Sequence, residues 1–156
     1  MALEQSQKKK SKPQKVVKPT TQKNPEEWYH VDASGKTLGR LASQVATVLR
    51  GKNRRDFTPH ILQGNCVVVT NAEKILVSAK EKTYYRYTGY FGGLKETSLQ
   101  EMRQKHPERI IQFAVKGMLP KNRLQARFLK KLKVYKGASH PHLAQNPKPL
   151  EFKFHA

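Results

Sequence analysis

Apolar and polar positions change period along this chain, and each change marks an element. Trp28-Tyr29-His30-Val31-Asp32 is rich in aromatic and β-branched residues and predicts a short strand. After the turn residues Ala33-Ser34-Gly35-Lys36 the period becomes helical. Leu38, Leu41, Val45 and Val48/Leu49 recur at spacings of three and four, with Arg40, Gln44, Thr47 and Arg50 on the other faces. Gly51 stands where a C-terminal cap is wanted. Cys66-Val67-Val68-Val69 is a continuous apolar run, as expected of a strand covered on both faces. Asn71 to Lys74 then turn, and Ile75-Leu76-Val77 predicts another short strand. Strand, helix, strand in this order predicts a right-handed βαβ crossover and a parallel sheet.

The second half is more irregular. Residues 80–93 read as a basic, aromatic loop or irregular hairpin carrying Lys80, Lys82, Tyr84, Tyr85, Arg86, Tyr87, Tyr90 and Phe91, then Gly92-Gly93. Ser98 can cap a helix running through about Lys105, and Pro107 can open the next. Ile110, Ile111, Ala114, Val115 and Met118 give that helix its apolar positions, and Pro120 ends it. Leu124, Phe128, Leu129 and Leu132 predict a further helix, whose other faces carry Arg123, Arg127, Lys130 and Lys131. Val134-Tyr135 predicts a last short strand, and residues 137–156 read as extended, with Pro141, Pro147 and Pro149. Residues 1–27 hold Lys8-Lys9-Lys10, three prolines and many Gln, Ser and Thr, too few apolar groups to offset the entropy of ordering. They read as a basic low-complexity extension, either flexible or ordered by RNA, ahead of one domain at 28–156.

Charge narrows the partners. Among 156 residues, Lys and Arg number 31 against 11 Asp and Glu, a formal net charge of +20. Such self-repulsion is tolerable mainly when a polyanion neutralises it, nucleic acid before an anionic membrane. From Arg109 to Leu150 there is no acidic residue at all. The charge is therefore concentrated on the folded part. No apolar stretch approaches the ~18 residues that span a bilayer, and the N-terminus has neither a secretory apolar region nor the Arg-rich, acid-poor character of a transit peptide. Cys66 is the single cysteine, so no intrachain disulfide is expected.

Candidate chemistry reduces to anion binding. Gly35-Lys36-Thr37 between strand and helix invites a phosphate-loop reading, but the glycine required five residues earlier is His30. Lys36 and the helix N-terminus could still meet an RNA phosphate. His140-Pro141-His142, with His60 and Cys66, lacks metal-ligand spacing. Asp32 is one of only two Asp residues, the acids are scattered, and Cys66 lies in an apolar run, so no catalytic pair or nucleophile stands out. No cofactor and no small-molecule substrate are implied. What remains is cations interleaved with aromatic rings, the pattern that holds phosphates and stacks bases. The candidate RNA-binding residues are Lys36, Arg40, Arg50, Lys52, Arg54 and Arg55 around the first helix, and Lys82 and Arg86 in the aromatic segment. To these are added Lys116, Lys121, Arg123, Arg127, Lys130, Lys131, Lys133 and Lys136, with His140 and His142 as lesser members.

Val115-Lys116-Gly117-Met118-Leu119-Pro120, followed by Lys131-Leu132-Lys133-Val134-Tyr135, resembles the signature of the bacterial-type large-subunit ribosomal protein L-thirteen family. The segments Trp28–Asp32 and Ala33–Ala42, Leu49–Lys52, Phe57–His60, Asn71-Ala72, Tyr87–Gly89 with Gly92-Gly93, and His142 with Ala144-Gln145 and Pro147 follow the same family in order. The chain departs from it at Gln125, where the family usually has Gly, and at Asn65, where Asp is frequent. The resemblance implies a three-layer α/β/α domain around a small four-stranded parallel sheet. It implies a non-enzymatic constituent of the large ribosomal subunit that contacts large-subunit rRNA early in assembly, beside ribosomal proteins L-three and L-twenty. The location implied is a bacterial cytoplasm, with an organelle of bacterial descent as the alternative. Two other readings compete on the residues alone: a free-standing regulator of an mRNA, and a nucleotide-dependent RNA-modifying enzyme.

Overall fold

In a computed structural model describing residues 26–79, 81–150 and 152, strand β1 (Trp28–Asp32) pairs in parallel with β2 (Cys66–Thr70) through helix α1 (Leu38–Arg50). Most of the basic extension, residues 1–25, and Lys80 lie outside the described residues. The helix starts and stops where its residues dictate. Gly51 adopts φ 75°, and the Gly51 and Lys52 amides donate back to Val48 and Thr47; only glycine takes this left-handed cap without strain.

Two further strands complete a four-stranded, all-parallel sheet in the order β5-β2-β1-β6, with β5 at Leu132–Val134 and β6 at Lys148–Pro149. The expected helix through Leu132 is shorter: α4 spans Gln125–Lys130, and Leu132 opens β5. The expected strand at Ile75–Val77 reduces to one bridge between Thr37 and Leu76. A 3₁₀ turn at Ala72–Lys74 brings the chain out at the β1–α1 turn, where the two amides of Leu38 and Leu76 are satisfied but no neighbouring strand continues the ladder. The fourth strand comes instead from the segment read as extended. Proline has no amide to donate, and Pro149 stands on the edge strand, where the β1 carbonyl of His30 accepts from Leu150 instead.

Within the segment expected to be a loop or irregular hairpin, residues 83–93 belong to a more regular element than expected. Strands β3 (Thr83–Tyr87) and β4 (Leu94–Ser98) form an antiparallel hairpin separate from the sheet. Ser98 ends β4 and caps α2 (Leu99–Lys105), its hydroxyl accepting from the Glu101 amide at 3.2 Å. Pro107 opens α3 (Pro107–Met118).

Alternation along the strands gives each face its neighbour. Val31, Val67, Val69 and Leu132 point into the main core with Leu41, Val45 and Leu49 of α1, Ile110, Ile111 and Val115 of α3, and Phe128 of α4. The other face carries Trp28, His30, Cys66, Val68 and Thr70. The segment after β5 covers it, including a 3₁₀ turn at Leu143–Gln145: the His142 ring lies 5.1 Å from Trp28 and the His140 ring 5.4 Å from His30. Met118, expected among the apolar positions of α3, is exposed at the end of the helix.

Candidate nucleic-acid interface

The basic residues are laid out by the elements that carry them. Lys116 is exposed on the last turn of α3, Lys121 and Arg123 on the connection, and Arg127 and Lys130 on the outer side of α4, which turns Phe128 inward. Spacing of three places Arg127 and Lys130 on one helix face. These five cations form a corner between α3 and α4, and among the described residues none has an acidic partner. Surfaces that serve solubility alone intersperse both signs.

Gln125 fixes that corner. Its side-chain amide donates to the carbonyls of Lys116 at 2.9 Å and Leu119 at 3.3 Å, capping the end of α3 from the first turn of α4. The glycine that the family resemblance leads one to expect here could make neither bond. Gln125→Ala should therefore destabilise the fold by about 1 kcal/mol. Urea denaturation checks this, and an unchanged midpoint would detach the corner's geometry from this residue.

A second basic group surrounds the end of α1. Lys52 and Arg55 are exposed, while Arg50 lies half-buried with its guanidinium 5.5 Å from the Phe57 ring centroid. Arg54 donates to both carboxylate oxygens of Asp56, at 3.1 and 3.4 Å, which holds the Asp56 carboxyl below its ordinary value. Arg54 and Arg55 line a cleft with Glu27, Tyr29, Asn53, Asp56 and Asn65. The Asn65 side-chain oxygen is buried there, and among the described residues it has no hydrogen-bond partner. Further along, Arg40 is exposed on α1, and Lys36 is half-buried at the β1–α1 turn. That turn is held by Asp32, which accepts from the Ser34 amide and hydroxyl and from the Asn71 side chain, each at 2.9 Å. These bonds, the Ser34 amide first, keep its carboxyl below the usual range. Lys82 and Arg86 are exposed on the hairpin segment, Lys82 with its amine 5.1 Å from the Tyr84 ring.

The stretch Lys116–Lys136 is continuous in sequence but divided in space. Lys133 pairs with Val68 in the sheet register, so it emerges on the face opposite the helices, with Lys136 beyond it. His140 and His142 are half-buried on that same face. The His142 ring nitrogen is 2.8 Å from the Tyr135 hydroxyl, and His140 accepts from the His142 amide. Their neighbour His30 lies 3.0 Å from the Thr70 hydroxyl, and burial, helped by His140, lowers its pKa. The two C-terminal histidines pack the segment onto the sheet.

Lys131 is turned inward. Its amine donates to the Gly64 carbonyl at 2.6 Å and pairs with Glu26 at 2.9 Å, and its side chain is only 9% exposed. Glu26 also accepts from the Cys66 thiol at 3.7 Å. Burial raises the Cys66 pKa, with the Glu26 charge as the next contribution, so the thiol is a core group. Sequence could not distinguish Lys131 from Lys130, because the difference lies in the helix ending between them.

Exposed cations outside the candidate set include Lys74, Lys95 and Arg109. Lys95 is recoverable from its place beside the aromatic segment. Arg103 is different: its guanidinium donates to the Ile75 carbonyl at 2.9 Å and holds α2 against the core.

Comparison with known proteins gives a consistent result. The family model described as Ribosomal protein L13 matches residues 26–141. Large ribosomal subunit protein uL13 of Clostridioides difficile is 59% identical over 129 residues, covering 81% of this chain and 90% of that protein. The protein of the same name from Agathobacter rectalis is 59% identical, covering 80% and 90%. That of Nitratidesulfovibrio vulgaris is 51% identical over 143 residues, covering 90% and 99%.

Proposed function

The chain belongs to the ribosomal protein L13 family, and from that membership we propose that it is a structural, non-catalytic constituent of the large ribosomal subunit in the cytoplasm. It binds large-subunit rRNA through residues 28–156 and supports early assembly of the subunit, with residues 1–27 as a basic extension. Ribosomal proteins L-three and L-twenty are the proposed neighbours. The observation that carries the RNA reading is the α3–α4 corner. Among the described residues its exposed cations have no acidic partner, and a folded surface of one sign is stabilised when phosphates neutralise it. The corner acts with Arg40, Lys52 and Arg55 on the α1 side. Phosphate contacts supply most of the affinity and RNA shape most of the selectivity. Lys131, His140 and His142 serve the fold that positions these groups.

The test reverses Arg123, Arg127 and Lys130 to Glu together and follows the tagged chain through sedimentation of a cell extract. The parent should travel with the large subunit, whereas R123E/R127E/K130E should fall at least about tenfold in that fraction while keeping its circular dichroism. Removing three phosphate contacts costs orders of magnitude in affinity at physiological salt. Unchanged incorporation of a folded variant would remove the corner from the mechanism. A parent found mainly as a free pool would favour a regulator outside the ribosome.

A further inference from the structure

The β3–β4 hairpin carries groups that phosphate neutralisation does not explain. It rests on the body through Tyr84, whose ring stacks on Phe113 of α3 with centroids 5.8 Å apart. Alternation along β3 then puts Tyr85 and Tyr87 on the face turned away from that contact. Both are 65% exposed, and at the tip Tyr90 is 79% and Phe91 107% exposed. Among the described residues Phe91 therefore packs against nothing. Rings left in water in such a group mark an interaction surface rather than a core.

A second observation, on the hairpin face shared with Tyr84, says what charge the covering partner carries. Arg86 and Lys95 are direct cross-strand partners, both exposed, and among the described residues neither has an acidic partner. Like charges directly opposite one another destabilise an antiparallel pair. Glu96 does not relieve this, because it pairs with Tyr85 on the other face. The two cations are satisfied when an anion sits between them, which an apolar protein groove would not supply.

We propose that this hairpin is a second RNA contact, specific for unpaired nucleotides. The rings of Tyr90 and Phe91 at the tip and of Tyr87 on the outer face stack on bases, and Arg86 and Lys95, on the face shared with Tyr84, hold a phosphate where the same strand passes round the hairpin. The inference rests on the RNA-binding reading above and adds the kind of RNA. Bases inside a duplex already have both faces stacked, so an exposed ring gains nothing from them. Bases of a loop or bulge are open to it.

The experiment titrates the full chain with two probes over a range of salt: a short single-stranded RNA without self-complementarity, and a blunt RNA duplex of equal length. Y87A/Y90A/F91A should weaken single-strand binding roughly ten- to a hundredfold, with the salt slope unchanged. Duplex binding should stay within about twofold, since it depends on phosphates. R86Q/K95Q should weaken single-strand binding and flatten its slope by about 0.7 for each phosphate no longer neutralised. Phe91 touches no neighbour among the described residues, so Phe91→Ala should fold as the parent does; it should weaken binding roughly fivefold, and Phe91→Trp should keep the affinity.

Ring variants that bind the single strand like the parent would overturn the proposal, as would an equal weakening on both probes. Ring variants that bind both probes normally yet fail to enter the large subunit would overturn it in favour of a protein neighbour. All three leave the α3–α4 corner standing, because R123E/R127E/K130E is read separately. A parent that binds neither probe would overturn both.

Discussion

Gly64→Ala should lower the melting temperature by about 10 °C. The last turn of α1 and the segment entering β2 cross here, backbone against backbone. A Cβ on Gly64 would lie 1.5 Å from the Leu49 carbonyl oxygen and 2.4 Å from its carbon. Neither atom belongs to a side chain that could swing aside, so the end of α1 must move. That shift strains the Asn65 amide bond to the Val48 carbonyl, now 3.4 Å, and the bond from the Lys131 amine to the Gly64 carbonyl. Overpacking a core typically costs about 1–3 kcal/mol. With the two bonds disturbed, about 3 kcal/mol is expected, and each kcal/mol is worth roughly 3 °C in a domain of this size. Gly117→Ala is the control. That glycine lies within α3 with nothing within 4 Å of an added Cβ, so alanine should hold or raise the melting temperature through helix propensity. Calorimetry on both variants decides the matter; a Gly64→Ala chain melting with the parent would mean that the α1–β2 crossing gives way cheaply.

The second large effect separates two adjacent lysines. Lys131→Met should lose about 2 kcal/mol of stability, and Lys130→Met less than about 0.5 kcal/mol. Methionine keeps the buried stem of Lys131 but removes the amine that satisfies the Gly64 carbonyl and meets Glu26. An orphaned buried acceptor costs about 1–3 kcal/mol. The Glu26 part adds little, since that side chain is 59% exposed and its charge is screened by water. RNA affinity should run the other way: weakened by Lys130→Met at moderate salt, and for Lys131→Met reduced only by the unfolded fraction. Denaturant titration of both variants, paired with RNA titration, gives all four results. Equal stability of the two would show that the inward Lys131 contacts contribute nothing.

Much of this molecule is legible in one dimension because the information is local. The strand at Trp28–Asp32, the helix from Leu38 to its Gly51 cap, the buried valines of β2 and the Ser98 and Pro107 helix starts follow from residue type, period and the few residues that satisfy a free backbone group. The one-sign charge of the last third is likewise a property of composition, and the ordered motifs carry the family. Elements that differ from their sequence pattern are those whose deciding contact is distant. Residues 75–77 have strand-like side chains, but the neighbour of β1 on that edge is Lys148–Pro149, far along the chain. The hairpin looks irregular through residue 93 because its second strand, Leu94–Ser98, is polar and carries no apolar alternation.

The same holds for the candidate interface. Sequence placed a basic block at Lys116–Lys136; tertiary structure decided which of its members reach solvent together. Where α4 ends fixes Lys130 outward and Lys131 inward, and the pleat of β5 sends Lys133 through to the opposite face. Gly64 has no pattern of its own to announce it, because its constraint is the carbonyl of another element pressed against its α-carbon. The sequence by itself determined the first strand and helix, the buried β2, the helix starts at Ser98 and Pro107, the family and the chain's own one-sign charge, since these follow from local periodicity, ordered motifs and composition. Only the tertiary structure decided the sheet's edge strand, the inward lysine and the split of the basic block, because those depend on which backbone groups and faces meet across the fold.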